Sequence, residues 1–111
     1  MDKYTALKTY FGHTAFRPGQ EAVIDALLAG RDVLAVMPTG AGKSACYQIP
    51  AVLRRGVTLV VSPLISLMQD QVAALREAGI PAACIHSGQA EETYREIVSS
   101  ALDGAFRILY V

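Results

Sequence analysis

The sequence has no tryptophan, only two cysteines in 111 residues, and no net charge, ten Lys and Arg standing against ten Asp and Glu. Cys46 and Cys84 have no second cysteine near them, which excludes a disulfide framework and a Cys-x-x-Cys zinc site. Both read as reduced thiols acting as small buried hydrophobes, Cys46 in a helix and Cys84 in a strand. With charges balanced there is no global field to draw in nucleic acid, so any contact with DNA or RNA must be local. No run approaches the ~18 apolar residues of a membrane span. The opening Asp2, Lys3 and the mixed segment Tyr4 to Phe11 contain no stretch long enough for a signal peptide. The expectation is a soluble, intracellular protein with no membrane partner. A hydrophobic content of 52% with 18% charged residues is that of a folding chain, and the length allows one domain or part of one.

What the chain does have is Met37-Pro38-Thr39-Gly40-Ala41-Gly42-Lys43-Ser44, an apolar run breaking into a glycine-rich loop that ends in Lys-Ser and opens a helix. Glycines let backbone amides approach phosphate oxygens closely. Lys43 can reach the β and γ phosphates of a nucleotide, and the Ser44 hydroxyl can sit on a bridging Mg²⁺. The full pattern, G-x-x-x-x-G-K-[ST], wants glycine where this chain has Met37, yet Thr39, Gly40, Ala41, Gly42, Lys43 and Ser44 still carry the groups that touch phosphate. The plainer alternative is a turn ending a strand, with Lys43 solvated.

Four glycines organise the rest. Gly30, Gly56, Gly79 and Gly104 recur about every 25 residues, the length of one helix plus one strand, each closing a helix-like segment before an apolar run. The runs Val33 to Met37, Val57 to Val61, Ile80 to Ile85 and Phe106 to Val111 read as strands buried on both faces. Between them, Leu64, Met68, Val72 and Leu75 form a helical stripe from Pro63 to Ala78, with Ser62 as N-cap and Pro63 at the first helical position. From Ala90 to Asp103, Tyr94, Ile97, Val98, Ala101 and Leu102 make a similar face, while Glu91, Glu92, Arg95 and Glu96 face water. Strand, helix, strand in this order predicts an α/β fold: a parallel sheet with flanking helices, of the P-loop nucleotide-binding kind. The last run stays apolar to Val111, and a natural domain seldom stops inside a buried strand, so the expectation is a fragment of something longer.

Hydrolysis of ATP requires a second carboxylate to order the metal, and in P-loop enzymes it ends a later strand. Here the second run ends in Ser62-Pro63 and the third in His86-Ser87, so these residues have what binding needs and lack what efficient cleavage needs. Upstream lies Phe16-Arg17-Pro18-Gly19-Gln20. A Gln offers one donor and one acceptor together, matching the N6 and N7 edge of adenine, with His13 or Phe16 available for stacking and Arg17 near base or phosphates. On spacing alone the plainer reading is preferred: Phe16 a helix staple, Gln20 a first-turn polar residue and His13 a surface loop residue. A third segment, Val60 to Gln71, offers Ser62 and Ser66 to a nucleic-acid backbone at a helix start, but has no Lys or Arg, and a capped helix on a sheet explains it better. His86 has no nearby carboxylate and reads as a loop residue.

Taken together these segments resemble a known family. Phe11-Gly12-His13 with Phe16 to Gln20, then Met37 to Ala51 in the form Met-Pro-Thr-Gly-Ala-Gly-Lys-Ser-Ala-Cys-Tyr-Gln-Ile-Pro-Ala, then Val60 to Gln71, look like the RecQ family of superfamily 2 DNA helicases, Met37 included. The resemblance implies that residues 1–111 are the N-terminal part of the first RecA-like helicase domain, ending before the Asp-Glu-x-His motif that supplies the missing carboxylate. It implies ATP and Mg²⁺ as cofactors, with His13, Arg17 and Gln20 around adenine, Thr39 to Ser44 around phosphate, Lys43 as the catalytic residue and Ser44 on the metal. It further implies DNA as partner, both single-stranded and unwinding duplex, met by Ser62, Pro63, Leu64, Ser66, Gln69 and Gln71. Any zinc would belong to a C-terminal region beyond these residues. The implied activity is ATP-dependent 3′ to 5′ unwinding in recombination and repair, in the bacterial cytoplasm at the nucleoid or in a eukaryotic nucleus. The fragment alone is expected to be inactive. The competing class is a non-motor ATP-binding module or another P-loop enzyme such as a kinase.

Overall fold

The computed structural model describes residues 1–38 and 42–111. Thr39, Gly40 and Ala41, three of the expected phosphate contacts, lie outside the described residues. The chain divides into two compact units, Met1–Arg54 and Arg55–Val111.

The first unit is helical. Asp2 caps α1 (Lys3–Phe11) by accepting a 2.7 Å hydrogen bond from the Thr5 N–H, which holds its carboxyl below the ordinary range. Gly12, at φ 72°, closes the helix in the left-handed conformation. Next come α2 (Gln20–Leu28) and α3 (Lys43–Leu53), and α3 packs against both α1 and α2. Ala6, Leu7, Ile24 and Ile49 form the core, with Tyr10, Phe11, Phe16, Ala45 and Leu53 around it. Lys3 joins α1 to α2 through Glu21 and Asp25, each 2.7 Å away, and the Tyr4 hydroxyl donates to the same Glu21 carboxylate.

The second unit is a three-stranded parallel sheet in the order β1–β3–β2, from β1 (Thr58–Val60), β2 (Ala82–Cys84) and β3 (Ile108–Tyr110). Thr58 and Ala82 both register with Ile108. All of β3 is buried, as an apolar run between two neighbours requires. Between β1 and β2 runs α4 (Ile65–Glu77), which lies on β2 with Met68, Val72 and Leu75 buried. Between β2 and β3 runs α5 (Glu91–Leu102). The expected parallel α/β plan is therefore present. Gly79 shows why glycine punctuates it: at φ 90° it lets its own N–H reach the Arg76 carbonyl and the Ile80 N–H reach Leu75, turning the chain from helix to strand. Cys46 in α3 is buried, Cys84 in β2 is half-buried, and both are free thiols as expected.

Four expectations need correction. Val33 to Met37 is not a strand: it pairs with none of the three, and Leu34 and Val36 are 92% and 88% exposed. An apolar run becomes a strand only where a ladder accepts its N–H and C=O groups. β1 is not buried on both faces: Leu59 is 61% exposed, while Thr58 and Val60 on the opposite face are half-buried. α4 begins at Ile65 with Leu64 at the N-cap, and Ser62 does not cap it. The Ser62 N–H is drawn into the sheet by the Val111 carbonyl at 3.0 Å, and its hydroxyl instead accepts from the Leu64 N–H at 3.4 Å. The apolar face foreseen on α5 is only partly covered: Ile97, Val98 and Ala101 are half-buried, no residue of this helix is fully buried, and Leu102 is 84% exposed. No helix among the described residues is long and apolar enough to cross a membrane.

Candidate nucleotide site

Gln20 opens α2 directly after Gly19, whose φ of 87° turns the chain sharply into the helix. This turn drives the Gln20 side chain inward, where it is 5% exposed. Its Oε1 accepts a 2.8 Å hydrogen bond from the Arg17 N–H, and its Nε2 donates a 2.9 Å bond to the Gly42 carbonyl. The upstream segment and the end of the phosphate loop are thus held together by one amide. A backbone N–H can only donate and a backbone C=O only accept, so the two bonds decide which end of the amide is oxygen. They use one of its two lone pairs and one of its two N–H groups.

Gly42 is required here for two reasons. Its φ is 77°, and a Cβ placed on it would fall within the van der Waals shell of Gln20 Nε2 and beside Arg17 Cδ. Directly after it α3 begins, so that Lys43 and Ser44 stand at a helix N-terminus, where the helix dipole favours an anion.

Around this contact lies a cavity of about 550 Å³. Leu7, Phe11, Ala15 and Ala45 form its apolar walls, while His13, Arg17, Gln20, Gly42, Ser44 and Gln48 supply polar groups. His13, Arg17 and Gln20, foreseen as base contacts, therefore share one pocket with Gly42 and Ser44 of the foreseen loop contacts, while Lys43 does not line it. Gln48 was missed. It and Gln20 are the two buried polar side chains among the described residues, both 5% exposed, and both line this cavity. Its position four residues after Ser44, on the same face of α3, was the available signal. Lys43 is exposed and borders a second cavity of about 350 Å³, with Val23, Leu27, Met37, Cys46 and Tyr47. Burial there pushes the Cys46 thiol pKa up, as expected of an unreactive core cysteine.

The segment foreseen to meet DNA belongs to the second unit. Pro63, Leu64, Ser66 and Gln69 are exposed at the end of β1 and along the first turns of α4, and Ser62 is half-buried. Gln71 is turned inward instead, its Oε1 accepting from the Tyr110 hydroxyl at 3.3 Å. His86 is tied into the turn after β2: its Nδ1 accepts from the Gly88 N–H at 3.1 Å, and Gln89 bonds both the His86 N–H and the Cys84 carbonyl. No cluster of three potential metal ligands occurs among the described residues.

Comparison with known proteins bears on this arrangement directly. The DEAD/DEAH box helicase family pattern matches residues 17–110. The chain is 50% identical to the ATP-dependent DNA helicase RecQ of Haemophilus influenzae over the whole of its own length, and 49% identical to that of Bacillus subtilis over 95% of it. It is 54% identical to the human ATP-dependent DNA helicase Q4 over 78%. It spans 18% of the length of each bacterial relative and 8% of the human one.

Proposed function

The chain belongs to the DEAD/DEAH box helicase family, and on that premise we propose that it is the ATP-binding, N-terminal part of the first RecA-like domain of a RecQ-type DNA helicase. The parent enzyme hydrolyses ATP to move 3′ to 5′ along DNA and separate strands, serving recombination and repair in the bacterial cytoplasm or a eukaryotic nucleus. The observation that carries this reading is the Gln20 amide, buried between Arg17 and Gly42 on the wall of the cavity.

The chemistry follows from the orientation of that amide. Adenine presents an N6–H donor beside the N7 acceptor, whereas guanine presents acceptors at both O6 and N7. The second lone pair of Oε1 and second N–H of Nε2 complement adenine. Guanine offers two acceptors, so whichever way the amide faces its oxygen meets another acceptor; held by its two backbone partners, it sets Oε1 against O6. His13 and Arg17 on the rim have faces suited to stacking on the base. Lys43 at the start of α3 neutralises the β and γ phosphates. The Ser44 hydroxyl beside it fits one position on Mg²⁺, and the metal, when bound, offsets phosphate charge. The exposed set Pro63, Leu64, Ser66 and Gln69 serves DNA, through backbone and hydroxyl contacts in place of cationic ones. Gln71, bonded to Tyr110, steadies the helix on the sheet.

Lys43→Ala in the full-length protein tests the reading. ATPase activity and unwinding fall together to background, measured by phosphate release and strand displacement. Unwinding that survives the change overturns it.

A further inference from the structure

Met37 stands where the plain phosphate-loop pattern has glycine, and the base-binding reading gives it no task. Its surroundings suggest one. The side chain turns inward from a segment whose Leu34 and Val36 are exposed, and it borders the smaller cavity with Val23, Leu27 and Cys46. Its Sδ lies 4.0 Å from the Cys46 Sγ on α3. Its Cε lies 3.2 Å from where a Cβ on Gly19 would stand, at the turn that delivers Gln20 to the base cavity. Cys46 Sγ is in turn 3.9 Å from the Gly42 carbonyl, the same oxygen that Gln20 Nε2 holds. One flexible, polarizable side chain therefore packs against Gly19, the residue that precedes Gln20, and against Cys46, whose sulfur in turn meets the Gly42 carbonyl.

We propose that Met37 is a positioning residue coupling occupancy of the base cavity to the setting of the phosphate loop. This rests on the base-binding reading above. A base that pulls on Gln20 shifts the Gly19 turn, and close-packed side chains pass the shift to the start of the loop and to Cys46. Glycine at position 37 removes that path while leaving Lys43, Ser44 and the Gln20 amide in place. Gly19 also gains a reason to be glycine besides its backbone angle, since a methyl there meets Met37.

The test compares ATP, GTP and inorganic tripolyphosphate binding to the full-length protein by calorimetry, for wild type, Met37→Gly and Met37→Leu. Met37→Gly lowers ATP affinity about tenfold and leaves tripolyphosphate within about twofold, while Met37→Leu, which keeps the volume, retains wild-type preference. Equal loss for ATP and tripolyphosphate overturns the proposal, because Met37 then serves the loop alone. An ATP preference unchanged in Met37→Gly also overturns it and leaves the base-binding reading standing. A wild type that binds ATP no better than GTP and tripolyphosphate overturns that reading and the coupling with it. A denaturation cycle without nucleotide checks the contact itself: Gly19→Ala destabilises Met37→Gly less than wild type, and additive effects overturn the packing argument.

Discussion

Met1–Arg54 ties its elements together with polar side chains that reach from one to another, whereas Arg55–Val111 is organised by a backbone ladder around one buried strand. In the first unit Gln20 spans Arg17 and Gly42, and Lys3 spans Glu21 and Asp25. In the second, the carbonyl and amide groups of β3 pair on both sides, and the buried residues Ile108, Leu109 and Tyr110 supply the apolar centre. Each mode tolerates different changes. A site built by close polar approach fails when one methyl is added to a glycine, while a sheet built by burial fails when volume is removed.

That contrast can be broken by experiment. Ile108 is fully buried, and Ile108→Ala should lower stability by about 2–5 kcal/mol by urea denaturation. A loss under about 1 kcal/mol would mean that β3 is not close-packed. Gly42→Ala should act on the first unit by another mechanism, forcing a left-handed backbone on alanine and displacing the Gln20 amide, for roughly 2–4 kcal/mol together. Its mark is that ATP binding weakens with stability; a variant that melts lower yet binds ATP as wild type would detach the Gln20 contact from the site.

The smallest expected effect is on pH. Glu21 has its carboxyl held below the ordinary range, first by the hydrogen bond from Lys3 and then by that from Tyr4. A carboxylate with a depressed pKa contributes stability above the ordinary glutamate value of about 4.3, and that contribution is lost as pH falls through the depressed value. The groups are exposed, so the effect is slight and screened by salt. Helical circular dichroism should loosen below about pH 4 more in wild type than in Glu21→Gln; identical acid profiles would remove the Lys3–Glu21 pair from the account of how α1 is held.

Much of this was legible in the residues. The spaced glycines foretold where helices end, and three of the four apolar runs became parallel strands near their expected places. The fourth, Val33 to Met37, is as apolar as the others yet forms no strand, since nothing within a run says whether a neighbouring strand will pair with it. Ser62 was misread for a related reason: its hydroxyl suits a cap, but its backbone is claimed by the sheet through Val111. Around the site, residue types point to phosphate chemistry at Lys43 and Ser44, while Gln20 suits a first-turn polar residue by spacing and takes a base-binding role only from the family resemblance. Gln48 left only its helical spacing from Ser44 as a sign. The packing of Met37 on Gly19 left none, because it joins residues distant in the chain.

Periodicity, glycine placement and the Gly-Lys-Ser run alone determined that this is a parallel α/β chain with a phosphate loop opening a helix, because those signals lie within a few residues and reflect local backbone sterics. Tertiary structure decided which apolar runs became strands, which end of the Gln20 amide meets Arg17 and which meets Gly42, and what Met37 packs against. Each of those depends on a partner far along the chain, and a hydrogen-bond ladder or a packed side chain exists only once that partner has arrived.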